Sequence, residues 1–254
     1  LAITGSLGKS TVAAFCHHCL EKAGRKSVLA GNIGTPVSEI ALEAPEQDVL
    51  VLEVSSFQCE HMLAFHLQVA VLLHLVPNHL ERHGLMPAYD GAKAQMFMPV
   101  GAGDVALVHE AHAEAFQVRC NSPGSEADPE WQVFGISNDS GWTYDRSSIF
   151  HQGEPVLSLS GSLFAHPVFG VNAAAAVAAL TALGLSPGQV QEGLRDFTGL
   201  PHRMQDLGTK SGVRFIDDSK STTLSSLVAA VSMLDGPVHL IAGGIVKEID
   251  VSFV

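Results

Sequence analysis

The chain has 254 residues, 46% of them hydrophobic and 16% charged, which suits one large or two medium domains with a sizeable core and argues against extensive disorder. Its formal net charge of -12, from 14 basic and 26 acidic residues, argues against nucleic acid or an anionic membrane as partner, since either needs a basic face; small phosphates stay open, because local amides and single lysines hold them. No apolar run approaches the roughly 18 residues of a membrane helix, no signal peptide is visible, and four cysteines make no disulfide framework, so no membrane insertion and a cytoplasmic setting are expected.

Residues 1–4 read as a strand and 10–23 as a helix, followed by a short strand at 27–31 and a helix at 37–43. Residues 48–54 and 69–75 are strands with continuous apolar runs, the pattern of strands buried on both faces. A helix over 87–98 and a strand over 105–108 complete an alternation that specifies a mostly parallel α/β sheet. Residues 121–160, rich in Ser, Gly, Asp and Pro, read as a small β excursion with runs near 131–134 and 156–159. Helices follow at 173–183 and 187–197, the second with Ser186 as N-cap and Pro187 at its first position. Gly199-Leu200-Pro201 marks a domain boundary, after which a strand (213–216), a helix (224–234) and a strand (238–242) read as the opening β-α-β of a second α/β unit. The chain begins on an apolar strand without an initiator Met and stops soon after a Gly-Gly turn, so it is expected to be the interior of a longer protein.

Ile3-Thr4-Gly5-Ser6-Leu7-Gly8-Lys9-Ser10-Thr11 carries the chemistry of a phosphate loop. Glycines let backbone N–H groups curl around an anion, and the helix N-terminus adds positive potential. Lys9 is placed to neutralise the β- and γ-phosphates of ATP, and Ser10 or Thr11 to offer a hydroxyl to Mg2+. The general pattern asks for a further glycine where Ile3 stands, so the match is partial; a plain βα turn with a surface lysine is the blander alternative. Glu53, near the carboxyl end of a buried strand, is a candidate Mg2+ ligand, the alternative being a solvated strand-end carboxylate.

Four further segments follow in order: Gly31-Asn32-Ile33-Gly34, Leu52-Glu53-Val54-Ser55-Ser56-Phe57-Gln58, Gly199-Leu200-Pro201-His202-Arg203 and Asp218-Ser219-Lys220. Together with the loop they resemble the Mur ligases, and within that family the members that add D-glutamate. The resemblance implies a P-loop-type ATPase domain over 1–200, the start of a truncated Rossmann-like ligase domain over 201–254, and a UDP-binding N-terminal domain outside this chain. It implies ATP-dependent amide formation between UDP-N-acetylmuramoyl-L-alanine and D-glutamate through an acyl-phosphate, in peptidoglycan precursor synthesis, by a monomer. Gly5, Ser6, Leu7, Gly8, Lys9, Ser10, Thr11, Asn172, Arg203 and Asp218 would face ATP. Ser10, Glu53, His79 and a carbamylated Lys93 would hold Mg2+, with two ion positions. Asn32, Ser55, Ser56, Gln58, Thr222 and Lys247 would line the other substrates. Lys9, Glu53, His79, Lys93 and Lys220 would be catalytic.

Leu7, Asn78, Val171, Ala175 and Val246 depart from the family pattern. They motivate one alternative, a non-catalytic nucleotide-binding paralogue; a sister ligase, of the Mur or folylpolyglutamate type, with another amino acid is the other. Cys16-His17-His18-Cys19 suggests a metal knuckle, but Val12, Cys16, Cys19, Leu20 and Ala23 share one helical stripe, so the cysteines are expected in the core. His79-Leu80-Glu81-Arg82-His83 lacks the Glu directly after the first His that a zinc-protease helix needs, and His83 is expected at the surface. Ser55-Ser56 has no Gly-x-Ser-x-Gly context for a hydrolase nucleophile.

Overall fold

The computed structural model describes residues 1–43, 46–62, 66–121, 128–137 and 141–244. In chain order they form β1 (Ala2–Thr4), α1 (Lys9–Lys22), β2 (Ser27–Gly31), α2 (Val37–Glu43), β3 (Val49–Glu53), α3 (Ser56–Cys59), β4 (Val69–Leu72), α4 (Leu80–His83), α5 (Met86–Ala94), β5 (Val105–His109), α6 (Ala113–Cys120), β6 (Glu130–Gly135), β7 (Trp142–Asp145), β8 (Ser148–His151), β9 (Glu154–Ser158), α7 (Pro167–Ala182), α8 (Pro187–Asp196), β10 (Gln205–Lys210), β11 (Val213–Asp217) and α9 (Leu224–Ser232).

The first nine strands make one sheet in the order β2-β3-β1-β4-β5-β6-β7-β8-β9. Every pairing from β2 to β7 is parallel, and β7-β8 and β8-β9 are antiparallel. The strand order places β1 centrally, between β3 and β4, so the loop after it opens at the carboxyl edge of the sheet, where open α/β sheets bind ligands. Hydrophobic cores cover both faces. One gathers α1, α7 and α8 around Phe15, Phe164 and the buried Ala173–Ala179 run; the other gathers Tyr89, Met96, Phe97 and Phe116. The alanines keep α7 slim, and Gly193 of α8 lets that helix approach Cys19, whose Sγ would sit 2.5 Å from an added Cβ.

Cys16 and Cys19 are buried and free, as the stripe on α1 requires, and His17 instead meets Ser27 Oγ at 2.7 Å. Ser186 caps α8 in a reciprocal box with Gln189, with Pro187 in its first turn. The helix expected over 87–98 is α5 plus a 3-10 turn at Gln95–Phe97.

The β excursion expected over 121–160 is present as β6 to β9, and it extends the main sheet: β6 pairs with β5 from Val105↔Glu130 to His109↔Phe134. Two expectations are corrected. The segment after residue 201 opens as an antiparallel hairpin, β10-β11, followed by α9, and not as β-α-β. Residues 238–242 pair with no strand among the described residues and leave Leu240 and Ile241 exposed; an apolar run becomes a strand only with a partner for its backbone. Helix α6 and strands β7, β8 and β10 are elements that the sequence pattern did not reveal.

Candidate functional site

The loop between β1 and α1 is shaped by two glycines. Gly5 (φ 150°) runs against Leu73, whose Cβ would lie 2.6 Å from an added Cβ. Gly8 (φ 81°) precedes α1 and lies under Asn172, whose Nδ2 would be 2.2 Å from one. Ile3, where a longer loop would carry its first glycine, is fully buried in β1 and paired with Glu53 and Val71; the turn therefore starts later, at Gly5. Ser6 anchors the loop. Its N–H donates to the His74 carbonyl (3.1 Å), its Oγ donates to the Val76 carbonyl and accepts the Val76 N–H (2.9 Å each), and Tyr89 OH lies 3.1 Å from that Oγ. Ser6 is thus committed to holding the loop. Lys9 Nζ donates to the carbonyls of Gly5 and Ser6 at 3.0 Å, so its donor group sits in the loop's mouth awaiting a stronger acceptor, while burial lowers its pKa.

Glu53 ends β3 and is 2% exposed. Asn32 Nδ2 donates to its Oε1 at 3.0 Å, and Oε2 has no hydrogen-bond partner among the described residues. A buried, half-satisfied carboxylate is costly on its own and suits a cation. Lys93, on α5, is 1% exposed and donates to Thr4 Oγ1 (3.1 Å) and the Gly5 carbonyl (3.0 Å), with Nζ 4.7 Å from the Tyr89 ring centroid. Burial, helped by the charge of Lys9, pulls its pKa down to about 7. His79 precedes α4 in the left-handed region (φ 56°) and packs edge-on against Phe57.

Two clefts meet here. The larger, about 540 Å³, runs from the loop across Glu53 to Asn172, Arg203, Asp218, Lys220 and Thr222. The smaller, about 260 Å³, is bounded by Ser55, Ser56, Phe57, Tyr89 and Lys93. Lys9, Asn32, Asn78 and His79 line both. The donor set fits Mg2+: Glu53, with one oxygen unpaired among the described residues, lines the larger cleft together with the hydroxyl-bearing Ser10 and Thr11, and hard oxygens are what that ion takes. Lys93 as a free amine adds no anionic ligand.

From the later segment, Arg203 Nη2 donates to Ser10 Oγ at 3.1 Å, tying residues 193 positions apart. Asp218 Oδ1 accepts the Met204 N–H at 3.0 Å and Oδ2 accepts from Ser221 Oγ. Ser55 and Gln58 form a capping box on α3, so the Gln58 side chain is engaged locally. Ser56 Oγ lies 3.0 Å from His83 Nε2. His83 is not a surface side chain as expected: it is 3% exposed, between Phe57 and Tyr89. Ala175, one of the departures from the family pattern, is buried on α7. Lys247 and Val246 lie outside the described residues. Unforeseen in the sequence, His74 and His109 also line the larger cleft; they are 35 positions apart and meet because β4 and β5 are adjacent.

Residues 3–181 match the family model described as Mur ligase middle domain. A curated UDP-N-acetylmuramoylalanine--D-glutamate ligase from Dinoroseobacter shibae is 38% identical over 261 residues, covering 98% of this chain and 55% of the relative. The chain thus spans about half the length of the curated relatives it matches. Among solved structures, MurF from Acinetobacter baumannii superimposes with a TM-score of 0.73 at 22% identity, over 92% of this chain and 53% of that one. MurF ligase from Thermotoga maritima, solved with ADP, gives 0.72 at 18% identity over 92% and 57%.

Proposed function

Because the chain belongs to the Mur ligase family, we propose that it is the ATP-binding part of a ligase that joins D-glutamate to UDP-N-acetylmuramoyl-L-alanine in peptidoglycan precursor synthesis. The relative named for that reaction supports the choice of amino acid. The observation that carries the reading is Glu53, buried with one unpaired oxygen, lining the same cleft as the Lys9 loop.

In the proposed reaction an oxygen of the L-alanyl carboxylate attacks the γ-phosphorus of ATP. The bond to the β-γ bridging oxygen breaks, ADP leaves, and an acyl-phosphate remains. The amine of D-glutamate then attacks the acyl carbon, phosphate departs with the electron pair of the C–O bond, and the nitrogen loses a proton. Such a transfer asks the protein for positioning and charge neutralisation. Lys9 exchanges the Gly5 and Ser6 carbonyls for phosphate oxygens. Arg203 and Asp218 approach the nucleotide from the later segment, and Asn172 faces it over Gly8. The wall shared by the two clefts, from Lys9 to His79, separates a nucleotide side from an acceptor side near Ser55 and Ser56. Lys220 and Thr222 face the acyl-phosphate, and Lys247 pairs with a D-glutamate carboxylate.

Ser10, Glu53, His79 and a modified Lys93 would hold Mg2+, which supplies positive charge against the phosphoryl oxygens when bound. A neutral Lys93 amine adds to CO2, forming an N–C bond and releasing a proton, and the resulting carbamate is an anionic oxygen ligand. The lowering of its pKa to about 7 by burial supports this, since it makes the free amine accessible near neutral pH. The test is phosphate release by the full-length protein across a panel of amino acids. Turnover with D-glutamate supports the proposal; turnover confined to another amino acid points to a sister ligase, and ATP binding without turnover to a non-catalytic paralogue.

A further inference from the structure

Three imidazoles converge where β4 and β5 leave the sheet. His74 lies two residues past the end of β4, His109 ends β5, and His112 closes the 3-10 turn Glu110–His112. One ring nitrogen from each lies within 4.8 Å of the other two. His112 Nε2 and His74 Nδ1 are 3.2 Å apart. With metal–nitrogen bonds of about 2.0–2.1 Å, neighbouring ligands of a tetrahedral ion sit about 3.3 Å apart, so this pair already has the required bite. We propose that His74, His109 and His112 form a binding site for a divalent transition ion of the Zn2+ class at the rim of the larger cleft, separate from the Mg2+ position at Glu53.

The electrostatics favour ligation. Burial lowers the pKa of all three rings, that of His109 to about 4, so at neutral pH they are uncharged and carry lone pairs. The ring nitrogens have only neutral partners: the Leu75 N–H donates to His112 Nε2 at 3.0 Å, the Ala111 N–H to His109 Nδ1 at 3.2 Å, and His112 Nε2 and His74 Nδ1 share one hydrogen bond with each other. Neutral hydrogen bonds of this kind contribute far less than imidazole coordination supplies, so an ion displaces them. The set is all nitrogen, which selects Zn2+, Co2+ or Ni2+ over Mg2+. The exposed His74 provides access, and Phe134 packs edge-on at 5.5 Å to hold the His109 ring. His74 and His109 also line the larger cleft, which places the proposed site at its rim.

The test is a Co2+ titration of the chain in saturating Mg2+, read by the intense visible absorption of tetrahedral Co2+, with His109→Ala, His74→Ala and Glu53→Gln alongside. One tetrahedral Co2+ per chain, weakened more than about tenfold by either histidine change and unaffected by Glu53→Gln, is expected. Unchanged affinity in His74→Ala would overturn the proposal; this exposed residue keeps the test valid if His109→Ala fails to fold. Loss of the Co2+ signal in Glu53→Gln alone would overturn it as well, by locating the ion at the Mg2+ position.

Discussion

Asn32 grips Glu53 twice: its side-chain Nδ2 donates to Oε1 at 3.0 Å and its backbone N–H to the Glu53 carbonyl at 2.8 Å, leaving Oε2 bare. Gly31 makes the grip possible, since a Cβ there would lie 2.4 Å from the Glu53 carbonyl oxygen. One carboxylate oxygen is thereby aimed and the other left for a cation. Glu53→Gln is expected to lower ATP turnover at least about 100-fold, as loss of an electrostatic partner at a developing charge does. It removes a buried, half-satisfied charge, so its thermal midpoint is expected to stay level or rise. A paired ADP-release assay and thermal melt check this; retained activity with a lowered midpoint would count against the metal role.

Lys93 gives a pH signature. Its pKa is about 7 in the fold against 10.5 as the ordinary value. Between those values the unfolded chain holds a proton that the folded chain lacks, so stability rises with pH across that window, by up to roughly 1.4 kcal/mol per unit. Below about 7 both states are protonated and the slope disappears. In CO2-free buffer, denaturant melts of the parent should show this rise and those of Lys93→Met should lack it.

The proposed carbamate rests on the same lysine. Lys93→Ala is expected to lose activity that bicarbonate does not restore. With ¹³C-bicarbonate, the parent should show a carbamate resonance that Lys93→Ala lacks. Full activity in Lys93→Ala would remove the carbamate from the mechanism.

Gly8→Ala tests the loop. A side chain there meets Asn172 Nδ2 at 2.2 Å and must adopt φ 81°. The left-handed conformation alone costs about 1–2 kcal/mol. Both the melting midpoint and ATP affinity should fall, the affinity by more than about tenfold because the amides that cradle phosphate shift with Gly8. Calorimetric titration with ATP reads it.

Arg203 reaches Ser10 across 193 positions. Arg203→Ala should reduce kcat/KM for ATP by about 10- to 100-fold, the scale of a lost charge-assisted contact. The partly buried guanidinium makes this contact at the cleft and not in the core, so the melt should barely move. A large drop in melting midpoint with unchanged kcat/KM would recast Arg203 as a structural tie.

Much of this was legible in the residues. The continuous apolar runs of β3 and β4 and the Gly5–Lys9 turn announce a parallel sheet with a phosphate loop at its centre. Helix α6 was hidden because Phe116 is its one buried residue, too few for an apolar stripe. Strand β10 was hidden for a similar reason, being largely exposed. Residues 238–242 misled in the other direction, since Leu240 and Ile241 look like core yet face solvent. At the site, Lys9, Glu53, His79 and Lys93 could be named from motifs, but the burial of Lys93 and the grip of Asn32 on Glu53 depend on strand register. The histidine cluster depends on it wholly: β4 and β5 pair Leu72 with Val108, and only then do His74 and His109 become neighbours.

The most direct measurement is ADP release by the full-length protein with ATP and Mg2+, withholding UDP-N-acetylmuramoyl-L-alanine and D-glutamate in turn. Sustained ADP release that needs both substrates, with stoichiometric amide product, is the expected result. ADP release indifferent to either substrate, or none with both present, would contradict carboxylate activation by this chain.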